Sequence, residues 1–289
     1  MNNPQLTIGQ CVTLASIIEA TAPKPGNVHR GADFEDVTYP DFVVSAIAMA
    51  PLFDRAAELT VGQLVLSSVE ATQRFVGTNT NLGMILLFAP LAKVPRDQPL
   101  TLGVQTVLAT LTSADAHDVY AAIRLAKPGG LGRVESSDIH DTPPDSLLDA
   151  MRLASDRDLV ARQYAEGFPH VLNYVVPWLT SAIRDKHLPI SLAVVHTFLQ
   201  LLAIEPDSLI ARKRGPDLAR QVSMQASRVL GSGEAGDPTY GEALADFDFW
   251  LRSDHHHRNP GTTADLVAAG LFACLRDGII EAPFRLAGN

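Results

Sequence analysis

The chain has 289 residues, 46% hydrophobic and 19% charged, with no low-complexity stretch, which suits a globular protein with a large core and excludes a disordered or fibrous one. The net charge of −9 and pI near 5.4 oppose nonspecific attachment to nucleic acid or to an anionic membrane. Cys11 and Cys274 lie far apart in apolar surroundings, so a disulfide framework is not expected and a reducing cytoplasm is.

Residues 1–20 lack the basic segment, apolar run and cleavage site of a signal peptide, and apolar runs such as Met84 to Ala92 fall short of the ~20 residues of a membrane span. Almost every apolar segment recurs at three and four residues, the helical period. The chain opens with such a helix ending near Ala20, and a second follows from Phe42 to Ala57 with Pro51 as a bend. Between them lies TAPKPGNVHRGADFED, Thr21 to Asp36, a loop by its prolines and glycines that sets Lys24, Asn27, His29 and Arg30 before Asp33, Glu35 and Asp36. Cations meet phosphate oxygens and carboxylates hold Mg²⁺, so this mixture suits a polyphosphate and its metal. A solvated charged loop capping the next helix would look the same.

Helices are expected next at 64–75, at 83–91 with apolar residues all round, at 101–111, and at 114–126 with Ser113 as N-cap. GTNTNLG, Gly77 to Gly83, places Asn79, Thr80 and Asn81 before a buried helix, where they suit a base, a sugar or phosphate as well as plain capping. The loop Lys127 to Pro144 begins K-P-G-G-L-G-R and echoes K-P-G-N-V-H-R from Lys24 to Arg30. Each has a Lys and an Arg around a glycine turn and acids after it, so Arg133 joins the phosphate candidates. Chance, or two helix stops, would also give such an echo.

Further helices are expected at 146–154, 156–166, 170–184, 190–203, 208–214, 216–230, 239–252 and 263–277. Ser155 to Asp158 reads as a capping box that brings Arg162 and Glu166 onto the face of Asp158, with a surface ion-pair ladder as the plainer account. His196, within an apolar helix, reads as a core residue. EPDSLIARKRG offers Asp207 as N-cap and Arg212, Lys213 and Arg214 at a helix end, where cations complement the dipole. In RNPGTTADLVAAGLFACL, Asn259 opens a turn, Thr262 caps the helix and Asp265 is the reciprocal acid of a capping box. His255, His256 and His257 are adjacent, and adjacent side chains diverge, which argues against zinc. Walker, Rossmann, zincin and C-x-x-C motifs are absent. With no period-two alternation, no repeat and no linker, the expectation is all-α: one domain over residues 1–289, a globular multi-helix bundle of roughly a dozen helices.

Taken in order, PKPGNVHRGA, GTNTNLGMILL, ARQYAEGFPHV, VVHTFLQLLAIEPDSLIARKRG and NPGTTADLVAAGLF resemble the motifs of the triphosphoribosyl-dephospho-CoA synthase family over about Thr21 to Leu275. The resemblance implies an all-helical transferase that moves the triphosphoribosyl group of ATP onto a ribose hydroxyl of dephospho-CoA and releases adenine, building a lyase prosthetic-group precursor. Asn81-Leu82 stands where the family has His-Lys, and GADFEDV stands where it has a His-bearing motif. These departures keep ribosyl transfer and open the acceptor to a related cofactor, for example a pterin or furan one-carbon carrier.

Breaking an N-glycosidic bond calls for a carboxylate near C1′ and a base for the incoming hydroxyl, with cations and Mg²⁺ on the triphosphate. On the resemblance, Lys24, Arg30 and Arg212 go to phosphates, with Arg133, Arg162 and Glu166 next. Asp33, Glu35 and Asp36 go to metal or base work, and Asp207 and Asp265 are further catalytic acids. Asn79, Thr80 and Asn81 contact ribose or base, with Asn27, His29 and Asn259 in the same nucleotide site. The expected partners are small-molecule nucleotide and cofactor-precursor substrates, with ATP and Mg²⁺ required, a homodimer allowed, and neither nucleic acid nor membrane. A Mg²⁺-dependent N-glycosidic hydrolase acting on a nucleotide or ADP-ribose-like substrate is one alternative, and a noncatalytic helical nucleotide-binding protein another.

Overall fold

The computed structural model describes residues 5–128 and 144–286. Arg133, and with it most of the second KPG turn, lies outside the described residues. Fourteen α-helices occur among the described residues: α1 (Ile8–Thr21), α2 (Tyr39–Phe53), α3 (Val61–Gln73), α4 (Leu82–Lys93), α5 (Leu100–Ala109), α6 (Ser113–Ala126), α7 (Leu147–Ala154), α8 (Leu159–Glu166), α9 (Val176–Thr180), α10 (Ile190–Ile204), α11 (Ser208–Arg214), α12 (Pro216–Leu230), α13 (Pro238–Arg252) and α14 (Gly261–Arg276). No strand is present among them, only an isolated bridge between His29 and Ala32. The all-α class is therefore as the periodicity predicts.

The starts of the helices follow the capping chemistry of the chain. Thr7, Thr60 and Thr112 each cap a helix whose third residue, Gln10, Gln63 or Asp115, reaches back to the threonine N–H. The expected cap at Ser113 thus belongs one residue earlier, because Asp115 is in register with Thr112. Asp158, not Ser155, caps α8, with Oδ1 accepting from Val160 and Ala161. The segment expected as one helix over 170–184 is α9 flanked by π-helical turns, Val171–Val175 and Ser181–Asp185.

Helix α14 is the axis. Nearly all of its residues are buried, as the all-round apolar sequence LVAAGLFACL requires. It packs against α1, α4, α9, α10 and α11, and α4, buried from Leu82 to Ala92, lies beside it. The edge-on rings of Phe53 and Phe88, and Phe88 against Phe272, tie α2, α4 and α14 into one core. At one end of α14 the helices part, and the turns before α4, α11 and α14 face each other across the gap. No single helix is long and apolar enough to cross a membrane among the described residues.

Candidate active site

The gap is a cavity of about 1250 Å³. Three loops far apart in sequence share its wall: Asn27 and Val28 of the early turn, Thr78 to Gly83, and Asn259, Gly261, Thr262, Ala264 and Asp265 at the start of α14. Helices α6, α7 and α8 close the opposite side with Tyr120, Ile123, Leu147, Met151 and Val160, so one half is apolar and the other charged.

Each loop is fixed from behind. Asp248 of α13 accepts the Gly26 N–H (2.7 Å) and binds Arg252, whose guanidinium donates to the Asn27 carbonyl. Asn79 Oδ1 accepts the Leu82 N–H (3.1 Å), and Thr80 shares a hydrogen bond with Ser45 of α2 (2.7 Å). Phe34 lies against the ring of His256, with 5.0 Å between centroids.

Asp265 stands at the centre. Contrary to the capping-box expectation, α14 begins at Gly261 after Pro260, and Asp265 belongs to its second turn. Its carboxylate lies against Gly83, where a Cβ would come within 2.0 Å of Oδ2. Only a glycine admits the acid at that point. The carboxylate faces the cavity and accepts no hydrogen bond among the described residues. Burial, and then the charges of Glu19, Asp207 and Asp158, raise its pKa well above the usual carboxylate range, with Arg212 opposing.

The neighbouring acids are committed. Asp158 caps α8 with one oxygen and accepts from Arg212 Nη1 with the other (2.7 Å). Glu205 accepts from Arg162 (2.8 Å) and meets His170 Nε2 at 3.2 Å. The His170 contact first, and the Arg162 charge after the opposing effect of burial, keep its pKa low. His170 is held in turn by Gln163. Asp207 is fully buried: Oδ1 takes the Leu209 and Ile210 N–H groups, and Oδ2 takes the N–H and hydroxyl of Thr263. It joins α11 to α14 and has no face on the cavity.

Of the residues nominated from sequence, the cavity gathers Asn27, Asp36, Asn79, Thr80, Asn81, Arg162, Arg212, Asn259 and Asp265. It does not gather Lys24, His29, Arg30, Asp33, Glu35, Glu166 or Asp207. Lys24 is fully buried, its ammonium held by the Glu19 carboxylate (2.9 Å) and the carbonyls of Glu19 and Ala22. Its three protons are spent inside the protein, so none is left for a phosphate. Asp33 accepts the Tyr39 N–H at the start of α2, and Arg30, Glu35 and Glu166 are exposed away from the cavity. His29 Nδ1 accepts the Gly31 N–H, and burial, then Arg252, keep its pKa low. Among the described residues no three His, Cys, Asp or Glu side chains converge as metal ligands, so the trio Asp33, Glu35 and Asp36 forms no such set.

Sequence reasoning missed Glu19, Glu205, Lys213 and His256 on the cavity wall. A signal existed for Glu19, an acid in the otherwise apolar run ASIIEATA, and for Glu205, an acid directly before Pro206 and Asp207.

Fold and site together define an all-helical enzyme with a charged cavity large enough for two substrates. Residues 5–283 match the family model for ATP:dephospho-CoA triphosphoribosyl transferase (CitG), and the chain belongs to this family of transferases. Curated relatives include proteins named probable 2-(5''-triphosphoribosyl)-3'-dephosphocoenzyme-A synthase from Streptococcus equi subsp. zooepidemicus strain H70, 24% identical, and from S. equi subsp. equi strain 4047, 25% identical. Each alignment spans 274 residues, 87% of this chain and 90% of the relative. A crystal structure of a triphosphoribosyl-dephospho-CoA synthase candidate from Archaeoglobus fulgidus superposes with a TM-score of 0.63 at 25% identity, covering 81% of this chain and 98% of the other.

Proposed function

We propose that the cavity binds ATP beside dephospho-CoA or a related cofactor precursor, and that a ribose hydroxyl of the acceptor displaces adenine from C1′ of the ATP ribose. The observation that supports this most is Asp265, a carboxylate without a hydrogen-bond donor on the wall where three separate motifs meet. The bond from the acceptor oxygen to C1′ forms as the C1′–N9 bond breaks, and its electron pair leaves with adenine. The hydroxyl proton passes to the ionised form of Asp265, a carboxylate whose proton affinity burial increases and whose oxygens no hydrogen bond occupies among the described residues. Adenine takes up a proton as it departs. The Asp158 and Glu205 carboxylates, each paired with an arginine, favour the positive charge that develops at the anomeric carbon.

The volume of about 1250 Å³ exceeds the ~300–1,000 Å³ common for one small ligand, as a two-substrate site requires. The apolar half suits a flat base or the acceptor's organic arm. Asp36 is the one member of the expected metal trio on the cavity. That donor set fits a Mg²⁺ arriving on the triphosphate, since Mg²⁺ takes one or two carboxylates and keeps phosphate and water ligands. When bound, it would offset phosphate charge. The continuous core from Cys11 to Ile280 supports reading the chain as one domain, and a cytoplasmic location goes with these substrates.

The test is mass spectrometry of products from ATP and Mg²⁺ with dephospho-CoA, and separately with a cell metabolite extract. Adenine release with a triphosphoribosyl adduct on the acceptor is the expected result. Free triphosphoribose without an adduct would instead indicate a hydrolase, and no adenine above background would end the enzymatic reading.

A further inference from the structure

The charged half of the cavity continues past Arg212 into a smaller cleft of about 330 Å³, lined by Arg212, Lys213, Arg214, His256 and His257. Arg212, Lys213 and His256 belong to both spaces. The cleft is built where α11 turns into α12, through R-K-R-G-P, and by the turn that follows α13.

Three observations point to an anion there. The first is the ion pairing. Arg214 is matched by Asp254 (2.9 Å) and Arg212 by Asp158 (2.7 Å), but Lys213, half-buried, makes no hydrogen bond or ion pair among the described residues. The second is a pair of buried nitrogens without a hydrogen-bond partner, Arg212 Nε, which is a donor, and His257 Nδ1, which is one when its ring is protonated there and lies 3.9 Å from Asp254. Such groups are costly to leave empty. The third is the start of α12. Its cap is Gly215, which has no side chain to accept its first N–H groups, and Pro216, Ala219 and Arg220 of its opening turns line the main cavity. The positive end of this 15-residue helix, whose first turn carries the exposed Asp217, opens on the main cavity beside the cleft. Gly215 has φ +92°, a conformation closed to other residues, and a Cβ there would meet nothing within 4 Å. The facing acid is Asp36, exposed at the rim and 3.8 Å from His256 Nε2. Cations on the last turn of α11 also complement its dipole, but that leaves Arg212 Nε and Lys213 unmatched.

We propose that this cleft seats the outer phosphates of a polyphosphate chain whose sugar lies in the main cavity, and that it selects a nucleoside triphosphate over a monophosphate. The inference deepens the ribosyl-transfer reading and rests on it for the sugar, while the cleft can be probed with inorganic phosphates alone.

Calorimetric titration of the full chain with orthophosphate, pyrophosphate and tripolyphosphate tests it directly. Affinity is expected to rise with chain length. Lys213→Ala should weaken tripolyphosphate binding about tenfold or more, Lys213→Arg should restore most of it, and Lys186→Ala, an exposed lysine lining neither space, should change nothing. In the transfer assay the Lys213→Ala loss should fall on KM for ATP more than on kcat. Equal affinity for the three phosphates, or tripolyphosphate binding unaffected by Lys213→Ala in a variant with native circular dichroism, overturns the cleft. Lys213-dependent tripolyphosphate binding by a chain that transfers nothing from ATP would sustain the cleft and count against the transfer reading alone.

Discussion

Asp207 lies in the same family motif as Arg212, yet its surroundings assign it to the scaffold, and its removal separates the two roles. All of its acceptor capacity that the fold uses is directed inward: 2.9 and 3.1 Å to Leu209 and Ile210 N–H, and 2.7 and 2.8 Å to the Thr263 N–H and hydroxyl. Asp207→Ala deletes the N-cap of α11, worth about 1 kcal/mol. It also strands the buried Thr263 donors, at about 1–3 kcal/mol each. Water entering the void recovers part of this, for a net loss of about 3–5 kcal/mol. At roughly 2 °C per kcal/mol for a chain of this size, Tm should fall by about 6–10 °C. Thermal unfolding by circular dichroism measures this, alongside adenine release well below the variant's midpoint, where the rate per folded molecule should stay within about threefold. A Tm within 2 °C of the parent, or a hundredfold loss of rate at unchanged Tm, would refute the structural assignment.

Asp265→Asn should behave in the opposite way, losing about 10²–10⁴ in kcat while folding at least as well. Because its pKa is raised in the fold, native Asp265 holds its proton where the unfolded chain has lost it, so stability falls as pH rises from the ordinary Asp range to the raised value. Urea unfolding across that range should show the decline in the parent and a flatter curve in the variant. Gly83→Ala, which drives a methyl into Asp265 Oδ2, should cost about 1–3 kcal/mol of overpacking, less about 1 kcal/mol of helix propensity, and should depress kcat by displacing the carboxylate. Lys24→Ala breaks a buried ion pair and should lower stability by about 3–5 kcal/mol, with KM for ATP in the folded fraction unchanged. Unchanged stability with a raised KM would restore Lys24 to the phosphate site.

The helices were legible because their signals are local. Asp207, Gly215 and Pro216 bound α11 and α12 where the sequence puts them. The cap of α6 was one residue off because Thr112 and Ser113 are both good caps, and only the reach of Asp115 decides between them. The convergence of the Asn79 to Asn81 corner with Asn259 and Asp265 followed the motif order, although each pair is far apart in sequence. Burial was the hidden quantity. Nothing in K-P-G-N distinguishes a lysine facing solvent from one facing Glu19 a turn and a half earlier, and nothing in G-T-T-A-D reveals that Asp265 meets a glycine of another helix rather than its own N-terminus. The metal trio failed for the same reason: three acids close in sequence on an extended loop point to three places.

The enclosure of Lys24 carries a chemical consequence. An amine whose protons are all engaged and whose surface is closed to solvent has no lone pair to offer an acylating reagent, whereas Lys127 and Lys213 line the cavity that such a reagent can enter. Acetylation at limiting reagent should therefore mark the mouth of the cavity and leave the lysine beneath its first loop untouched until the chain unfolds, making that residue an internal reporter of the native state.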